Sequence, residues 1–189
     1  MKKIVSIFVF CLLSLKAFAH PHIWVYTDLA LKTEGNKIIG VNVNWVFDEM
    51  YSSAFLMDAD LNKDKKLDQS EAEAMQKQVM EKAVKTITPF IMLKLGGKDV
   101  YGYKLDNLKI KYDEENEQVS YNFDLKLHTP RSLEGSHKIA LVDDAFYVAF
   151  EQSYEFKIPK SCSFDLIEDQ DITIYDGMIN PEVYQLKCK

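Results

Sequence analysis

Residues 23–47, IWVYTDLALKTEGNKIIGVNVNWVF, decide the fold because they match two β-strands joined by a turn. Residues 23–31 are rich in β-branched and aromatic side chains and partly alternate between apolar and polar types. Gly35 and Asn36 are typical turn residues, and residues 37–47 alternate again. A period of two points one side of a strand toward a core, so this segment predicts a β-hairpin.

The residues before the hairpin match a secretory signal. Lys2 and Lys3 give a basic start, residues 4–15 form an apolar run, and residues 17–19 (AFA) match an A-x-A cleavage site. The mature chain is therefore predicted to begin at His20 in the periplasm or outside the cell. The apolar run is about a dozen residues, shorter than the roughly 20 that a spanning helix needs, so no membrane span is predicted in the mature chain.

The charge of the predicted mature chain restricts its partners. Without residues 1–19 the chain keeps 20 basic residues against 29 acidic ones, a net charge of −9. Proteins that bind nucleic acids need a basic surface, so the balance argues against a nucleic-acid partner and favours cation binding. Residues 20–189 are long enough to form a single domain with its own core.

Helical spacing replaces alternation after the hairpin. Met50, Ala54 and Met57 recur at helical intervals, which predicts a short helix over 48–59. Residues 72–88 predict a longer helix, which Pro89 closes. The sequence therefore predicts a helix-loop-helix insert at about residues 48–88, between the second and third strands.

The rest of the chain is rich in β-forming residues separated by turn residues. The predicted strands are 90–95, 101–105, 108–112, 119–127, 138–142, 147–156 and 162–167. Across the hairpin and these later strands, the aromatic residues Trp24, Trp45, Phe47, Tyr147 and Phe150 are predicted to be core residues. The fold class that follows is α+β, with a mainly antiparallel, β-sandwich-like body around the helical insert.

Residues 60–71, DLNKDKKLDQSE, match a calcium loop of the EF-hand type. In such a loop, oxygens at alternate positions and a glutamate at position 12 surround one hard cation. The predicted Ca²⁺ ligands are the side chains of Asp60, Asn62, Asp64, Asp68 and Glu71 and the backbone carbonyl of Lys66. Leu67, at position 8, is predicted to attach the loop to the core.

Position 6 of the loop departs from the pattern. The sharp turn there favours glycine, and Lys65 is expected to cost on the order of 1 kcal/mol of backbone strain. The sequence therefore predicts weak calcium binding, with a Kd of roughly 0.1 to 1 mM. The alternative is that an acidic loop matches by chance, or that Asp68 or Ser70 only caps the following helix.

The cysteines favour an oxidising compartment. Cys162 and Cys188 remain as a pair after the signal is removed, and they are predicted to form a disulfide. A pair of thiolate metal ligands is the alternative, although no further cysteine supports a zinc cluster. Cys11 leaves a lipid anchor as an alternative to soluble export, but Phe10 fits a lipid-attachment sequence poorly.

Signal cleavage would expose His20 with a free amine, followed by Pro21 and His22. Amine and imidazole nitrogens suit Cu²⁺ and accept Ni²⁺ or Zn²⁺, so this terminus is a candidate transition-metal site. Pro21 has no N–H, so a square-planar site of deprotonated amides cannot form in its usual way. The further candidate ligands are Asp48, His137 and Asp143. The alternative is a polar start to the first strand that binds no metal.

Four segments together resemble the domain of unknown function 1007 family. They are HPHIWV at 20–25, VNWVFDE at 43–49, the D-x-N-x-D start of the loop at 60–64, and VDDAFYVAF at 142–150. The resemblance covers nearly the whole mature chain and matches His20, His22, Asp48 and Asp143 to polar landmarks of the family. It implies a periplasmic component of an ABC-type transport system, encoded near nickel, cobalt or zinc transporters. A domain of this size lacks the two lobes of typical solute-binding proteins.

The leading hypothesis is a periplasmic, non-enzymatic metal-binding accessory protein that serves an inner-membrane metal transporter. A calcium-stabilised adhesion or interaction module without a transition metal is the alternative. A copper oxygenase built on His20 is a third hypothesis, but the sequence contains no serine-type triad, cysteine nucleophile or phosphate loop.

Overall fold

The predicted hairpin forms from β1 (Ile23–Glu34) and β2 (Lys37–Phe47) in the computed structural model, which describes residues 21–101, 103–153 and 155–189. Val25 and Leu29 of β1 and Val43 of β2 are buried, as their alternation predicts. Gly35 takes φ 56° in the connecting turn, a left-handed conformation that glycine adopts without strain. The predicted signal segment and His20 lie outside the described residues.

The first sheet has five strands in the order β5-β6-β2-β1-β8. Its other members are β5 (Tyr103–Asp113), β6 (Gln118–Ser132) and β8 (Val148–Gln152). The two strands predicted over 101–112 form one strand, because a register shift between Asp106 and Lys109 absorbs the break in the pattern. β8 pairs with β1 in parallel, which the predicted antiparallel body did not include.

The second sheet also has five strands, in the order β4-β3-β7-β10-β9. They are β3 (Ile91–Leu95), β4 (Lys98–Asp99), β7 (Gly135–Leu141), β9 (Cys162–Glu168) and β10 (Glu182–Cys188). β10 was not predicted, yet it lies between β7 and β9 with Val183, Tyr184 and Leu186 fully buried. The predicted disulfide is present and joins Cys162, the first residue of β9, to Cys188, the last residue of β10.

Two helices, α1 (Glu49–Ala59) and α2 (Gln69–Thr86), lie between β2 and β3 as predicted. α2 begins three residues before its predicted start, because Asp68 caps it and forms a capping box with Glu71. A 3₁₀ turn over Thr88–Phe90 contains Pro89 and leads into β3. No helix within the described residues is long and apolar enough to cross a membrane.

Both sheets and both helices contribute side chains to one hydrophobic core, which agrees with the α+β class. The prediction that five strand aromatics are core residues holds only in part. Trp45 and Phe47 are buried, but Trp24 is 46% exposed and Tyr147 is 54% exposed. Trp24 alternates with buried Val25, so its side chain lies on the opposite face of β1.

Candidate functional site

Asp60 begins the loop between the helices and organises its first half. Its Oδ1 accepts hydrogen bonds from the backbone N–H groups of Lys63 (2.6 Å) and Asp64 (3.2 Å). Its Oδ2 accepts one from the N–H of Lys65 at 2.7 Å. The same residue ends α1, since its own N–H donates to the carbonyl of Leu56. One carboxylate therefore ends the helix and gathers three successive amides of the loop.

The next two predicted ligands repeat this local bonding. Asn62 Oδ1 accepts from the N–H of Asp64 at 2.8 Å, and Asp64 Oδ1 accepts from the N–H of Lys66 at 2.9 Å. Both are turns in which a side chain bonds the amide two residues ahead. Lys65 has φ 65°, as predicted for position 6, and Lys63 has the same value. The loop therefore holds two lysines in the left-handed region that L-residues adopt at a cost.

Glu71 closes the loop from the first turn of α2. Its Oε1 accepts from the N–H groups of Leu61 (2.8 Å) and Asn62 (3.3 Å), and its Oε2 accepts from the N–H of Asp68 (3.1 Å). Glu71 is 4% exposed, and it forms no ion pair with any basic side chain of the described residues. A buried carboxylate of this kind has only backbone dipoles to compensate its charge.

Asp68 is the helix cap that the alternative interpretation requires. Its Oδ1 accepts from the N–H of Glu71 at 2.9 Å and from the hydroxyl of Ser70 at 2.8 Å. The hydrogen bond from the Glu71 amide, followed by that from Ser70, lowers the pKa of Asp68 below its usual value. Leu67 packs against the core as predicted, and Lys66 Nζ contacts Glu114 Oε2 at 3.0 Å. The loop is thus attached at both ends and along one side.

The oxygen atoms of the predicted ligands suit a hard cation, but the side-chain oxygens already accept hydrogen bonds. All the predicted ligand atoms are oxygens, which is the chemistry that Ca²⁺ prefers. Within the described part of the chain, no group of three or more His, Cys, Asp or Glu residues is placed to hold a metal ion. A bound calcium ion therefore requires these oxygens to draw together and exchange some amide hydrogen bonds for metal contacts.

The candidate transition-metal residues lie in two places. His22 immediately precedes β1, and there its N–H donates to the carbonyl of Tyr147 at 2.8 Å and its ring lies 4.8 Å from the Tyr147 ring. Asp48 is at the same end of the first sheet and lines a shallow surface pocket with His22. Asp143 is near this end too, because it precedes β8, the parallel neighbour of β1. The topology thus brings three of the family landmarks to one end of the first sheet, while His20 lies outside the described residues.

Both aspartates at this end hold backbone amides. Asp48 Oδ1 accepts from the N–H of Tyr51 at 2.9 Å, and its Oδ2 accepts from the N–H of Trp24 at 2.6 Å. Asp143 accepts from the N–H groups of Tyr147 and Val148, both at 2.9 Å. Asp48 therefore joins the start of α1 to β1, and Asp143 shapes the turn into β8.

His137 does not join this group. It lies in β7 of the second sheet and is 1% exposed. Its Nδ1 accepts from the N–H of Gly96 at 3.1 Å, and its Nε2 lies 2.9 Å from the carbonyl oxygen of Leu133. Both ring nitrogens are thus used within the fold, so His137 is explained as a buried structural histidine.

Comparison with known families matches residues 5–177 to the family described as "Protein of unknown function (DUF1007)". The chain belongs to this family. The matched region includes the loop at 60–71 and the landmarks Asp48 and Asp143, and it ends before β10. Family membership thus confirms the resemblance found in the sequence, and the family description names no ligand or activity.

A relative of the chain occurs in Haemophilus influenzae strain Rd, where it is described as "Uncharacterized protein". It is 25% identical over 186 residues, which cover 89% of this chain and 84% of the relative. No solved structure matches the chain.

Sequence reasoning missed an exposed apolar patch beside His22, formed by Trp24, Tyr26 and Met50. Their exposures are 46%, 48% and 66%. Trp24 and Tyr26 alternate with buried Val25 and Thr27 along β1. The sequence contained this signal, since every second residue of a half-buried strand points away from the core. Trp24 was instead predicted to be a core residue.

Proposed function

We propose that this protein is an exported, non-enzymatic metal-binding accessory protein, with calcium at residues 60–71 and a transition ion at the His20/His22 end. The buried carboxylate of Glu71 carries the calcium part of the proposal. Buried charges in proteins are normally paired with an opposite charge or coordinate a metal ion. Glu71 has no basic partner within the described residues and faces the start of a loop rich in oxygen donors.

Calcium in this loop would be held by oxygens alone. Asp60, Asn62, Asp64 and Glu71 provide side-chain oxygens, Lys66 provides its carbonyl, and Asp68 contributes directly or through water. Residues 60–71 also contain Lys63, Lys65 and Lys66, so three positive charges oppose four negative ones. This weak net charge and the strain at Lys65 favour a structural calcium site of low affinity. They do not favour a calcium sensor of the cytosolic type.

The calcium proposal is tested by titrating metal-free protein with CaCl₂ in a calorimeter. The expected result is one calcium ion per chain with a Kd of roughly 0.1 to 1 mM. Glu71→Gln keeps the size of the side chain and removes its charge, and it should abolish the heat of binding. Glu73→Gln is the matched control, because Glu73 lies on the exposed side of α2. Equal binding by wild type and Glu71→Gln would end the calcium proposal for this loop.

The transition-metal part is supported by the position of His22, which lines a surface pocket with Asp48 and lies at the same end of the first sheet as Asp143. Export to the periplasm and service to an inner-membrane metal transporter belong to the same proposal, and they follow from the predicted signal and the family resemblance. The His20 amine and the two imidazoles are the proposed ligands for Cu²⁺, Ni²⁺ or Zn²⁺. Asp48 and Asp143 contribute only if they release backbone amides.

The transition-metal part needs a protein with its native mature N-terminus. Stoichiometric binding of Cu²⁺, Ni²⁺ or Zn²⁺ is expected by calorimetry, with a large loss in His22→Ala and in a form extended at its N-terminus. His128→Ala is the control, since His128 is exposed on β6. If the extended form and His22→Ala bind as tightly as the wild type, metal delivery from this terminus is wrong.

A second candidate function is a calcium-stabilised protein-interaction module without a transition metal. The observation that favours it is the apolar patch of Trp24, Tyr26 and Met50, because exposed apolar clusters often mark interaction surfaces. This candidate predicts that calcium raises the melting temperature while no transition metal binds tightly.

A further inference from the structure

The surface pocket that His22 lines with Asp48 also contains a donor of another kind, the thioether of Met50. Met50 is the second residue of α1 and is 66% exposed, so solvent reaches its side chain. The pocket has a volume of about 410 Å³ and opens to the surface. An imidazole and a thioether therefore face one pocket that a metal ion can enter.

Two hydrogen bonds hold the start of α1 against the start of β1. The N–H of Trp24 donates to Asp48 Oδ2 at 2.6 Å, and the N–H of Asp48 donates to the carbonyl of Trp24 at 2.9 Å. His22 lies two residues before Trp24, and Met50 lies two residues after Asp48. The bonded pair therefore keeps the backbones of His22 and Met50 close together, although 28 positions separate them in the chain.

The side chains at this pocket differ in whether the fold already uses them. Asp48 spends both carboxylate oxygens on the backbone amides of Tyr51 and Trp24. Among the described residues, none forms a hydrogen bond with a ring nitrogen of His22 or with the sulfur of Met50. Glu49 is exposed and also lines the pocket. The donors that the fold leaves available are thus one imidazole, one thioether and one exposed carboxylate.

These donors favour different ions. Imidazole nitrogens bind copper, nickel and zinc alike, so His22 alone does not select among them. A thioether is a soft, polarisable ligand that selects Cu⁺, whereas a carboxylate suits harder ions. The part that Met50 plays in binding therefore separates Cu⁺ from Zn²⁺ and Ni²⁺.

We infer that the transition ion of this pocket is copper in its reduced form, Cu⁺, and that the sulfur of Met50 binds it together with the imidazole of His22. This inference rests on the proposed transition-metal function and names its ion and one further ligand. Asp48 keeps its amides, so binding does not loosen the contact between α1 and β1. Copper enters and leaves as Cu⁺, and no electron is transferred.

The test uses the mature protein with its native N-terminus in a buffer free of oxygen. Cu⁺ is supplied as its coloured complex with bicinchoninate, and loss of the colour measures transfer of the ion to the protein. The wild type should take up one Cu⁺ per chain. Met50→Leu keeps an apolar side chain and removes the sulfur. It should weaken Cu⁺ binding about tenfold or more, because losing a residue that only supports a metal ligand already costs about tenfold.

A second methionine of α1 and a second ion provide the controls. Met57 is 82% exposed near the other end of the helix, so Met57→Leu should bind Cu⁺ as the wild type does. Met50→Leu should keep its affinity for Zn²⁺, because zinc gains little from a thioether. His22→Ala should lose affinity for both ions. Both methionines are exposed, so neither substitution by leucine should change the melting temperature.

The possible failures separate this inference from the proposed function. If Met50→Leu and Met57→Leu bind Cu⁺ equally well, Met50 is not a ligand and the inference is overturned. The transition-metal function survives that result if the wild type binds Zn²⁺ or Ni²⁺ and His22→Ala does not. A wild type that takes up none of the three ions overturns both.

Discussion

Asp48 and Asp60 occupy the two ends of α1 and use their oxygens in different ways. Asp48 caps the start of the helix through Tyr51 and also accepts the amide of Trp24, which is 24 residues away in β1. Asp60 ends the helix and accepts three amides, all within the next five residues. One aspartate joins two elements of the fold, whereas the other organises only its own loop.

This difference indicates where a metal ion can act without disturbing the fold. A ligand that withdrew the oxygens of Asp48 would leave the amides of Trp24 and Tyr51 without partners and loosen the contact of α1 with β1. Drawing the oxygens of Asp60 toward an ion would change only an exposed loop, whose amides water can reach. An ion that binds reversibly is therefore better placed at the Asp60 end of α1 than at the Asp48 end.

Without added calcium, the largest expected effect is the loss of stability in Asp48→Ala. Removing a helix cap costs about 1 kcal/mol, and loss of the bond to the Trp24 amide adds a similar amount, so the total is about 2 kcal/mol. Asp60→Ala in EDTA should cost only about 0.5 kcal/mol, because water replaces its exposed bonds. Urea denaturation of both variants measures the difference. Equal losses would mean that the two ends of the helix are equally dependent on their aspartates.

Calcium should stabilise one of these two variants and not the other. With a Kd of roughly 0.1 to 1 mM, 10 mM CaCl₂ should stabilise the wild type by about 1.4 to 2.7 kcal/mol. Asp48→Ala should gain the same amount, since its loop is intact, and Asp60→Ala should gain nothing. Urea denaturation with and without calcium, with MgCl₂ as the ionic control, measures these gains. A full calcium gain in Asp60→Ala would place the ion elsewhere.

A smaller effect is expected from Lys65→Gly. Lys65 has φ 65°, so glycine relieves about 1 kcal/mol of strain but also adds freedom to the unfolded chain. The net stability should rise by about 0.5 kcal/mol in EDTA, and calcium should bind more tightly. Lys66→Gly is the control, because Lys66 has no positive φ and pairs with Glu114. It should lose stability, and a loss of the same size in Lys65→Gly would contradict the strain argument.

The smallest effect concerns pH and the cap of α2. The Glu71 amide holds the pKa of Asp68 below its usual value, so the ionised cap stabilises the folded chain above the ordinary pKa of an aspartate. This contribution is lost as the pH falls through the lowered pKa of the folded state. Asp68→Asn also caps a helix but does not titrate, so it should melt slightly below the wild type at pH 6. The two melting temperatures should converge in acid, and a constant difference would show that the charge of Asp68 is irrelevant.

Local patterns predicted much of the fold. Alternation along residues 23–47 predicted the hairpin, and helical spacing followed by Pro89 predicted both helices in their place between β2 and β3. The predicted turn at Lys65 is confirmed by its φ. Only Cys162 and Cys188 remained as partners for a disulfide, and the structure joins them. Each of these predictions depends on residues close in sequence or on a simple count.

The errors have a shared physical cause. The place of β10 in the second sheet and the parallel pairing of β8 with β1 depend on which distant strand lies alongside. The alternation of apolar and polar residues along a strand does not identify that neighbouring strand. His137, a candidate metal ligand, accepts a hydrogen bond from the N–H of Gly96, which lies 41 residues away in the chain, so no local pattern predicts this contact. Trp24 and Trp45 have the same side chain, yet one is exposed and the other is buried because they lie on opposite faces of the first sheet.

The sequence by itself determined the positions of the helices, most of the strands, the disulfide pair and the spacing of the oxygen-bearing side chains in the loop, because these follow from periodicity and composition. Only the tertiary structure decided that Glu71 is buried at the closure of its loop and that Asp48 is shared between α1 and β1. It also buried Trp45 in the core and left Trp24 exposed on the opposite face of the first sheet. Burial and hydrogen-bond partners come from residues far apart in the chain, so no local pattern specifies them.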